Sequence, residues 1–326
     1  MKLTMNITAT GEDLDRYESA DDLHRFYHDR GLAGLELMLC GCRELPDKVT
    51  AGEVVGIHLR YWPCWLDFWR GDVDALRREY GDDETWQAYY GPDRESFLAP
   101  WREELEIARR RGAEYVVFHV SECTLEETVT YRFRHTDEEV CDAACEIINA
   151  LLDGQGYDFH FLVENLWWSG LNLQHPAVTA RMMEGIHYPK KGIMLDTGHL
   201  MHTNHAIGTQ AQAVDYIHRV LDDHGELCRY VRGVHLNQSI SGEYVQSVIA
   251  QPPKLSGTYW ERARQIFPHV YKIDFHQPFT DPGVAGLLRR IGPEFVTLEF
   301  ISPSAQAHGR MLDAQLRALR ENGGME

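Results

Sequence analysis

Residues 192–202 read GIMLDTGHLMH, and this stretch indicates the fold class that the rest of the chain has to fit. It begins as a short apolar run, becomes polar at Asp196, and then places His199 and His202 at three-residue intervals. An apolar strand that ends on Asp and leads into His is typical of an α/β barrel, whose chemistry lies at the carboxyl ends of its strands. The pattern therefore predicts that other strands of this chain end in the same way.

Seven further apolar segments have the length of strands, and helical patterns alternate with them. The strands are predicted at 3–8, 34–39, 54–59, 115–120, 159–164, 192–196, 231–236 and 295–300, and the helices at about 20–30, 95–111, 137–153, 176–185, 209–224 and 304–321. Such alternation predicts a parallel sheet that closes into a (β/α)8 TIM barrel. The alternative, an open doubly wound sheet, lacks the glycine-rich turn that binds a nucleotide.

We expect a single TIM-barrel domain over 1–326 with two insertions. An aromatic-rich segment at 60–101 follows the third strand, and its tryptophans could either pack on the barrel as helical turns or form the wall of a pocket. A long insertion over 238–272 follows the seventh strand and contains a helix near 258–267.

The composition excludes several classes of protein. The net charge of −18 argues against a broad basic surface for nucleic acid. No apolar run is long enough to span a membrane, and the N-terminus has no signal-peptide pattern. The seven cysteines are scattered, which favours reduced thiols. We therefore expect a cytoplasmic protein with no membrane partner.

A His, Asp or Glu stands close to the carboxyl end of most strands from the third onward. A lone His there is usually a satisfied polar residue, and a lone carboxylate is usually a helix cap or part of an ion pair. The regular register favours a metal site instead, because clustered buried carboxylates repel one another unless a cation is present. The candidate ligands are His58, His119, Glu164, Asp196, His199, His235, Asp274, His276 and Glu299.

These segments resemble the xylose isomerase-like TIM-barrel superfamily (AP endonuclease family 2), and within it most of all the endonuclease IV family. The resemblance is carried by IHLRY with His58, VFHVS with His119, LVENL with Glu164, LDTGH with Asp196 and His199, RGVHLN with His235, DFH with Asp274 and His276, and TLEF with Glu299. His202 has no counterpart among the ligands, which makes it a residue beside the site or on the surface.

The resemblance implies a di- or trinuclear centre in three ligand groups, which are His58, His119 and Glu164; Glu164, Asp196, His235 and Glu299; and His199, Asp274 and His276. Imidazoles mixed with carboxylates favour zinc or manganese, with one to three ions per chain. The chemistry implied is metal-dependent hydrolysis of a phosphoester.

Two alternatives remain open. A metal-dependent sugar or sugar-phosphate isomerase or epimerase would need only Glu164, Asp196, His235 and Glu299, with Glu164 and Glu299 as acid and base and His199 on the substrate. A non-catalytic metal-binding barrel would have a closed ligand set. In either enzyme the catalytic residues would be Glu164, Glu299 and His199.

The chain departs from the endonuclease IV pattern in the loops that would bind the substrate. The long insertion after the seventh strand, the NITATGED turn after the first, and the segment WPCWLDFW after Tyr61 replace loops that would hold a duplex. We therefore expect a small sugar-like or phosphorylated substrate rather than duplex DNA, and we leave a homo-oligomer open. The expected substrate-binding residues are Tyr61, Trp62, Trp167, Trp168 and Asn237.

Overall fold

Eight parallel strands close into one barrel within residues 1–320, the part of the chain that the computed structural model describes. They are β1 (Lys2–Thr8), β2 (Gly34–Met38), β3 (Val54–His58), β4 (Tyr115–His119), β5 (His160–Glu164), β6 (Lys191–Asp196), β7 (Val231–Leu236) and β8 (Phe295–Leu298). Barrel neighbours are consecutive in the chain, and β8 pairs with β1 to close the ring. The predicted TIM barrel is confirmed, and all eight predicted strands are present.

Helices surround this barrel between most strands. Within residues 1–320 they are α1 (Gly11–Leu14), α2 (Ala20–His28), α3 (Leu66–Arg70), α4 (Val73–Tyr80), α5 (Asp83–Tyr90), α6 (Arg94–Arg111), α7 (Glu127–Thr130), α8 (Asp137–Leu152), α9 (Pro176–Gly185), α10 (Thr197–Met201), α11 (Gln210–His224), α12 (Gly242–Ala250), α13 (Tyr259–Ile273), α14 (Gly283–Ile291) and α15 (Ala305–Arg320). None of them is both long and apolar enough to cross a membrane. The last position of the predicted helix over 304–321 lies outside the described residues, as does the end of the predicted 1–326 domain.

The barrel interior is layered from apolar to polar toward the carboxyl ends of the strands. One buried cluster inside the barrel consists of Val55, Tyr115, Val117, Leu162, Met194 and Phe295. The Tyr115 ring crosses the barrel beside Gly56, where an added Cβ would lie 2.2 Å from the ring. The Tyr115 hydroxyl donates 2.6 Å to Glu36, which is buried in the middle of β2. A polar layer therefore separates the apolar interior from the ligand residues at the strand ends.

The aromatic segment after β3 forms α3, α4 and α5, and several of its rings are part of the core. The Trp65 and Trp69 side chains are buried, and their indole nitrogens donate to the Ser121 carbonyl at 2.7 Å and to Glu146 at 2.8 Å. Phe68 stacks on Tyr90 with ring centroids 4.6 Å apart. The packing interpretation of the segment therefore holds for these rings.

Two helices of the insertion after β7, α12 and α13, cover the mouth of the barrel, and we call them the lid. Val245 of α12 and Ile273 of α13 are buried in one cluster with Trp167 and Trp168 from the loop after β5. The predicted helix near 258–267 is present and extends as far as Ile273.

The lid is attached at its outer side by polar contacts. Arg262 donates to the Glu79 carbonyl. His269 lies 3.0 Å from the Thr128 carbonyl and 2.9 Å from the Tyr244 hydroxyl. Because α13 ends immediately before a candidate ligand, the position of the lid sets the position of that ligand.

Candidate metal centre

The structure brings all nine predicted ligand residues together at the carboxyl end of the barrel. They form three groups within which the ligand atoms lie no more than 4.8 Å apart: His58, His119 and Glu164; Glu164, Asp196, His235 and Glu299; and His199, Asp274 and His276. Glu164 belongs to two groups. These are the groups that the sequence resemblance implies, and their occupancy by ions stays a prediction.

Strand register explains how residues distant in sequence meet. His119 of β4 is the partner of Glu164 in β5, and Asp196 of β6 is the partner of His235 in β7. Parallel strands that end at the same edge of a barrel present such residues side by side. Most of the centre is therefore built on the barrel itself.

The DTGH turn supplies one ligand to each of two groups. Asp196 caps α10, because its Oδ1 accepts from the His199 backbone nitrogen at 2.6 Å. Its Oδ2 accepts from the Asn237 amide at 2.8 Å. Glycine is required at 198, since an added Cβ would lie 2.0 Å from Asn237 Oδ1. The turn thus holds Asp196 from two sides while directing His199 toward the lid.

Two of the imidazoles are oriented by backbone carbonyls. His58 Nδ1 lies 3.0 Å from the Leu59 carbonyl, and His199 Nδ1 lies 2.9 Å from the Asn165 carbonyl. A carbonyl only accepts hydrogen bonds, so each Nδ1 carries a proton, and Nε2, which faces Glu164 in His58 at 3.2 Å and Asp274 in His199 at 3.1 Å, is the nitrogen that would bind a cation. Such an arrangement is characteristic of metal-ligating histidine.

Several buried polar atoms at the centre have no hydrogen-bond partner among the described residues. They are both ring nitrogens of His119, Nδ1 of His276 and Oε2 of Glu299. His119 Nε2 is only 3.0 Å from Glu164 Oε2, but the two atoms do not form a hydrogen bond. Buried polar groups are normally satisfied. Buried nitrogen and oxygen atoms that face one another without a hydrogen-bond partner fit a bound cation. The donor set therefore suits a metal centre.

The two glutamates of the central group differ in acidity. Burial opposes the ionisation of Glu164, but the imidazoles of His119 and His235 outweigh it and hold the pKa of Glu164 well below its usual value. Burial raises the pKa of Glu299 to about 7, against the lowering effect of His235. In the absence of a cation Glu299 can therefore hold or release a proton near neutral pH, whereas Glu164 stays ionised.

Among the expected substrate-binding aromatic residues, Trp167 and Trp168 are buried and Tyr61 is partly buried next to the centre, whereas the partly buried Trp62 packs on Phe97 and Trp101. The Tyr61 ring meets the His119 ring edge-on at 4.6 Å, and the Trp167 ring lies 5.2 Å from that of His199. The Tyr61 hydroxyl and the indole nitrogens of Trp62, Trp167 and Trp168 have no hydrogen-bond partner among the described residues.

Asn237 is different, because it is fully buried and its amide nitrogen already donates to Asp196. Its predicted contact with substrate stays a prediction, while its contact with a candidate ligand is a structural feature.

One residue of the site, Glu36, was not identified from the sequence, and the place of a second, His202, was left open between two alternatives. Glu36 lies 3.0 Å from His235 Nε2, and its place inside the strand GLELM gave no signal in a search of strand ends. His202, expected beside the site or on the surface, is buried, and its Nε2 lies 3.2 Å from Asp274. Its three-residue spacing from His199 was the one available signal.

Solved structures similar to this one share its fold at low sequence identity. A D-tagatose 3-epimerase-like protein is 13% identical, with a TM-score of 0.53 and 99% of each chain covered. Endonuclease IV from Thermus thermophilus is 16% identical, with a TM-score of 0.51 and coverage of 98% of this chain and 100% of the other. A 3-keto-D-glucoside 4-epimerase from E. coli is 13% identical, with a TM-score of 0.50 and coverage of 97% and 99%.

The family comparison is more specific. No curated protein sequence matches the chain. A family model described as xylose isomerase-like TIM barrel matches residues 87–320, which is well over half of the sequence. The match includes most of the candidate ligands, from His119 to Glu299. The chain therefore belongs to the xylose isomerase-like TIM barrel family.

Proposed function

We propose that this protein is a metal-dependent enzyme with a di- or trinuclear centre that hydrolyses a phosphoester of a small sugar- or nucleotide-like substrate. The observation that carries the proposal is the set of three ligand groups, two of which share Glu164. Glu164 Oε2 faces His58 and His119, and its Oε1 faces His235 at 3.1 Å. A carboxylate with ligands at both oxygens is suited to bridge two cations.

Charge balance supports more than one ion. Five carboxylates lie at or directly beneath the centre and are mostly buried, namely Glu36, Glu164, Asp196, Asp274 and Glu299. Three divalent ions would carry about six positive charges against these five negative ones, whereas with a single ion the remaining charge of about −3 would have to be balanced by protonated imidazoles, since the carboxylates outweigh burial and raise the pKa values of His58, His199 and His276. The arrangement with three ions leaves these imidazoles neutral and able to act as ligands.

The side chains of the chain itself would bind and orient the substrate. When bound, zinc or manganese ions polarise a phosphoryl oxygen and acidify water. Tyr61, Trp167 and Trp168 offer unpaired hydroxyl and indole donors together with aromatic faces that suit a sugar or a base. Glu299 would lie beside the reacting groups as a ligand of the central group, and a bound cation would keep its carboxylate ionised.

The lid favours a small substrate over a nucleic acid duplex. Its two helices pack on Trp167 and Trp168 above the centre, where a duplex would have to approach. The acidic balance of the whole chain also opposes the binding of a polyanion. These features support the small-molecule version of the proposal.

A metal-dependent sugar isomerase or epimerase is the second candidate. Glu164, Asp196, His235 and Glu299 form a complete ligand group by themselves, and one ion there would suffice for that chemistry. Two of the similar solved structures are described as an epimerase and an epimerase-like protein. The two candidates differ in the number of ions that the reaction requires.

The proposal is tested by two measurements, the number of metal ions bound per chain and the rate of phosphoester hydrolysis. Purified protein loaded with zinc or manganese is analysed for bound metal and assayed with bis(p-nitrophenyl) phosphate and p-nitrophenyl phosphate. We expect two or three ions per chain and hydrolysis that is lost in Glu164→Gln. Glu53→Gln is the matched control, because Glu53 is a buried glutamate just before the start of β3, at the opposite end of that strand from His58, and it contacts His24, Tyr27 and Thr50 rather than any candidate ligand.

The outcomes separate the candidates. One ion per chain, with deuterium exchange from solvent into a ketose and no phosphoester hydrolysis, would overturn the hydrolase in favour of the isomerase. Tight metal binding with neither reaction would support the non-catalytic barrel. Binding of abasic duplex DNA at low salt would contradict the small-substrate assignment.

A further inference from the structure

Glu36 is a buried carboxylate that is absent from the three predicted ligand groups, but the structure places its carboxylate within 4.8 Å of ring nitrogens of His58 and His235, a fourth group of candidate ligands. Its two oxygens lie 2.9 and 3.0 Å from His235 Nε2. Its Oε2 also accepts from the Tyr115 hydroxyl at 2.6 Å and from the Thr297 hydroxyl at 2.7 Å. Glu36 is buried and lies on the Nε2 side of His235, whereas Glu164 and Glu299 lie on its Nδ1 side.

The hydrogen-bond partner that orients His235 is of a different kind from the partners of His58 and His199. His58 and His199 donate from Nδ1 to backbone carbonyls, at 3.0 and 2.9 Å. His235 has no such carbonyl partner among its contacts within residues 1–320, and Glu36 takes that place at Nε2. Its Nδ1 points the other way, 3.1 Å from Glu164 Oε1 and 3.3 Å from Glu299 Oε2.

We infer that Glu36 is a positioning residue, which keeps His235 protonated at Nε2 and directs the lone pair of Nδ1 at the cation shared by Glu164 and Glu299. The inference rests on the metal centre proposed above. A carboxylate behind a ligating imidazole fixes its tautomer and makes the ligand more basic, and loss of such a partner weakens metal binding about 10- to 100-fold.

The surroundings of Glu36 hold it in place for this task. The Thr297 hydroxyl contacts those of Tyr115 and Thr4, each at 3.0 Å, so the hydroxyls form a connected network around the carboxylate. The Tyr115 ring reaches this position because residue 56 is glycine. Glu36 therefore has fixed donors on one side and one imidazole on the other.

The test compares Glu36→Gln with Glu53→Gln in the full chain. Glu53 makes a matched set of contacts, with Tyr27 at 3.0 Å, Thr50 at 2.8 Å and His24 at 3.1 Å, and it is 6% exposed. Zinc affinity is measured by competition with a chromophoric chelator. We expect about 10- to 100-fold weaker zinc binding in Glu36→Gln and wild-type binding in Glu53→Gln.

A second measurement follows the imidazole itself. In protein labelled with 15N-histidine and loaded with zinc, the His235 Nε2–H proton should be far downfield in the wild type and move upfield in Glu36→Gln. Should Glu36→Gln fail to fold, Tyr115→Phe removes one of the donors that hold Glu36 and keeps the ring, and it should weaken zinc binding in the same direction.

The outcomes are distinguishable. A wild-type protein that binds no metal would overturn the proposed centre and this inference with it. Normal zinc affinity and an unmoved Nε2–H signal in Glu36→Gln, in a wild-type protein that does bind zinc, would overturn only the role of Glu36. Equal weakening in Glu36→Gln and Glu53→Gln would show a general effect of removing a buried charge, and would also overturn it.

Discussion

The candidate centre has two parts that are built differently. The inner part consists of ligands at or next to the carboxyl ends of β3 to β8, namely His58, His119, Glu164, Asp196, His235 and Glu299. The outer part consists of His199 in α10, Asp274 at the end of α13, and His276, whose φ of +43° places it in the left-handed region. Backbone hydrogen bonds of the barrel set the inner positions, whereas turns and the lid set the outer ones.

This difference assigns rigidity to the inner part and adjustability to the outer part. The Cα pairing of Asp196 with His235 is part of the ladder between β6 and β7, after a register shift between Ile193 and Met194. Asp274 instead ends a helix that is held by side-chain contacts, among them those of Arg262 with the Glu79 carbonyl, Tyr259 with Tyr80 and His269 with the Thr128 carbonyl. Elements held by side-chain contacts outside a strand ladder open more readily than barrel strands. We therefore expect the inner ions to bind independently of the lid, and the outer ion to bind in concert with it.

The largest expected effect is that of Asp196→Asn. The change keeps the size of the side chain, and its amide oxygen can still accept from the His199 backbone nitrogen, so α10 should form. It removes the charge of an inner ligand, and we expect at least about 100-fold weaker binding of the inner metal, more than removal of an orienting partner costs. Isothermal titration with manganese measures the affinity of the inner part for the metal. Unchanged inner affinity in a folded variant would mean that Asp196 acts only as a helix cap.

Asp274→Asn should affect the outer part alone. We expect loss of one ion per chain with the inner affinity retained, because the contacts of Asp274 with the inner part are indirect and run through His199 and His276. Metal analysis gives the stoichiometry, and phosphoester turnover shows whether the third ion takes part in the reaction. Loss of all ions in Asp274→Asn would contradict the division of the centre into two parts.

The inner part could be predicted from the sequence, because apolar runs show where the strands of a barrel end. Apolar runs at 159–164, 192–196 and 231–236 mark strands, and parallel closure brings their last residues together. Glu36 was not predictable in this way, because it lies within a strand and meets His235, 199 positions later, only across the barrel.

The sequence is less informative about the outer part. A helix near 258–267 was expected, but not that it continues to Ile273, nor that α12 accompanies it over the mouth. Their placement depends on contacts such as those of Val245 and Ile273 with Trp167, which join segments far apart in the chain. Local patterns carry no information about such contacts.

His202→Asn should weaken binding of the outer ion by about 10-fold. His202 Nε2 lies 3.2 Å from Asp274 Oδ1, and its Nδ1 lies 3.3 Å from the Ser241 hydroxyl next to the lid. It therefore orients a candidate ligand without binding the ion, and loss of such partners costs about 10- to 100-fold in affinity. Zinc titration of the variant, against His218→Asn on the outer helix α11 as a control, measures the effect. Equal affinities for the outer ion would assign His202 to the lid alone.

The smallest expected effect comes from loosening the lid without touching any ligand. Arg262→Leu removes the contact of α13 with the Glu79 carbonyl, while Arg264→Leu changes an exposed residue of the same helix and serves as the control. One charge-assisted hydrogen bond contributes about 1.5–3 kcal/mol, and partial exposure and retained lid contacts reduce its share in holding Asp274.

We expect Arg262→Leu to weaken binding of the outer ion a few-fold and to leave the affinity for the inner ions unchanged. The rate of amide hydrogen exchange in α12 and α13 should increase. Titration of zinc gives the first two quantities, and exchange measured by mass spectrometry gives the third. Faster exchange with an unchanged outer affinity would separate lid motion from metal binding, and the outer part would then be as rigid as the strand ends. Weaker inner and outer binding together would show instead that the lid supports the whole mouth of the barrel.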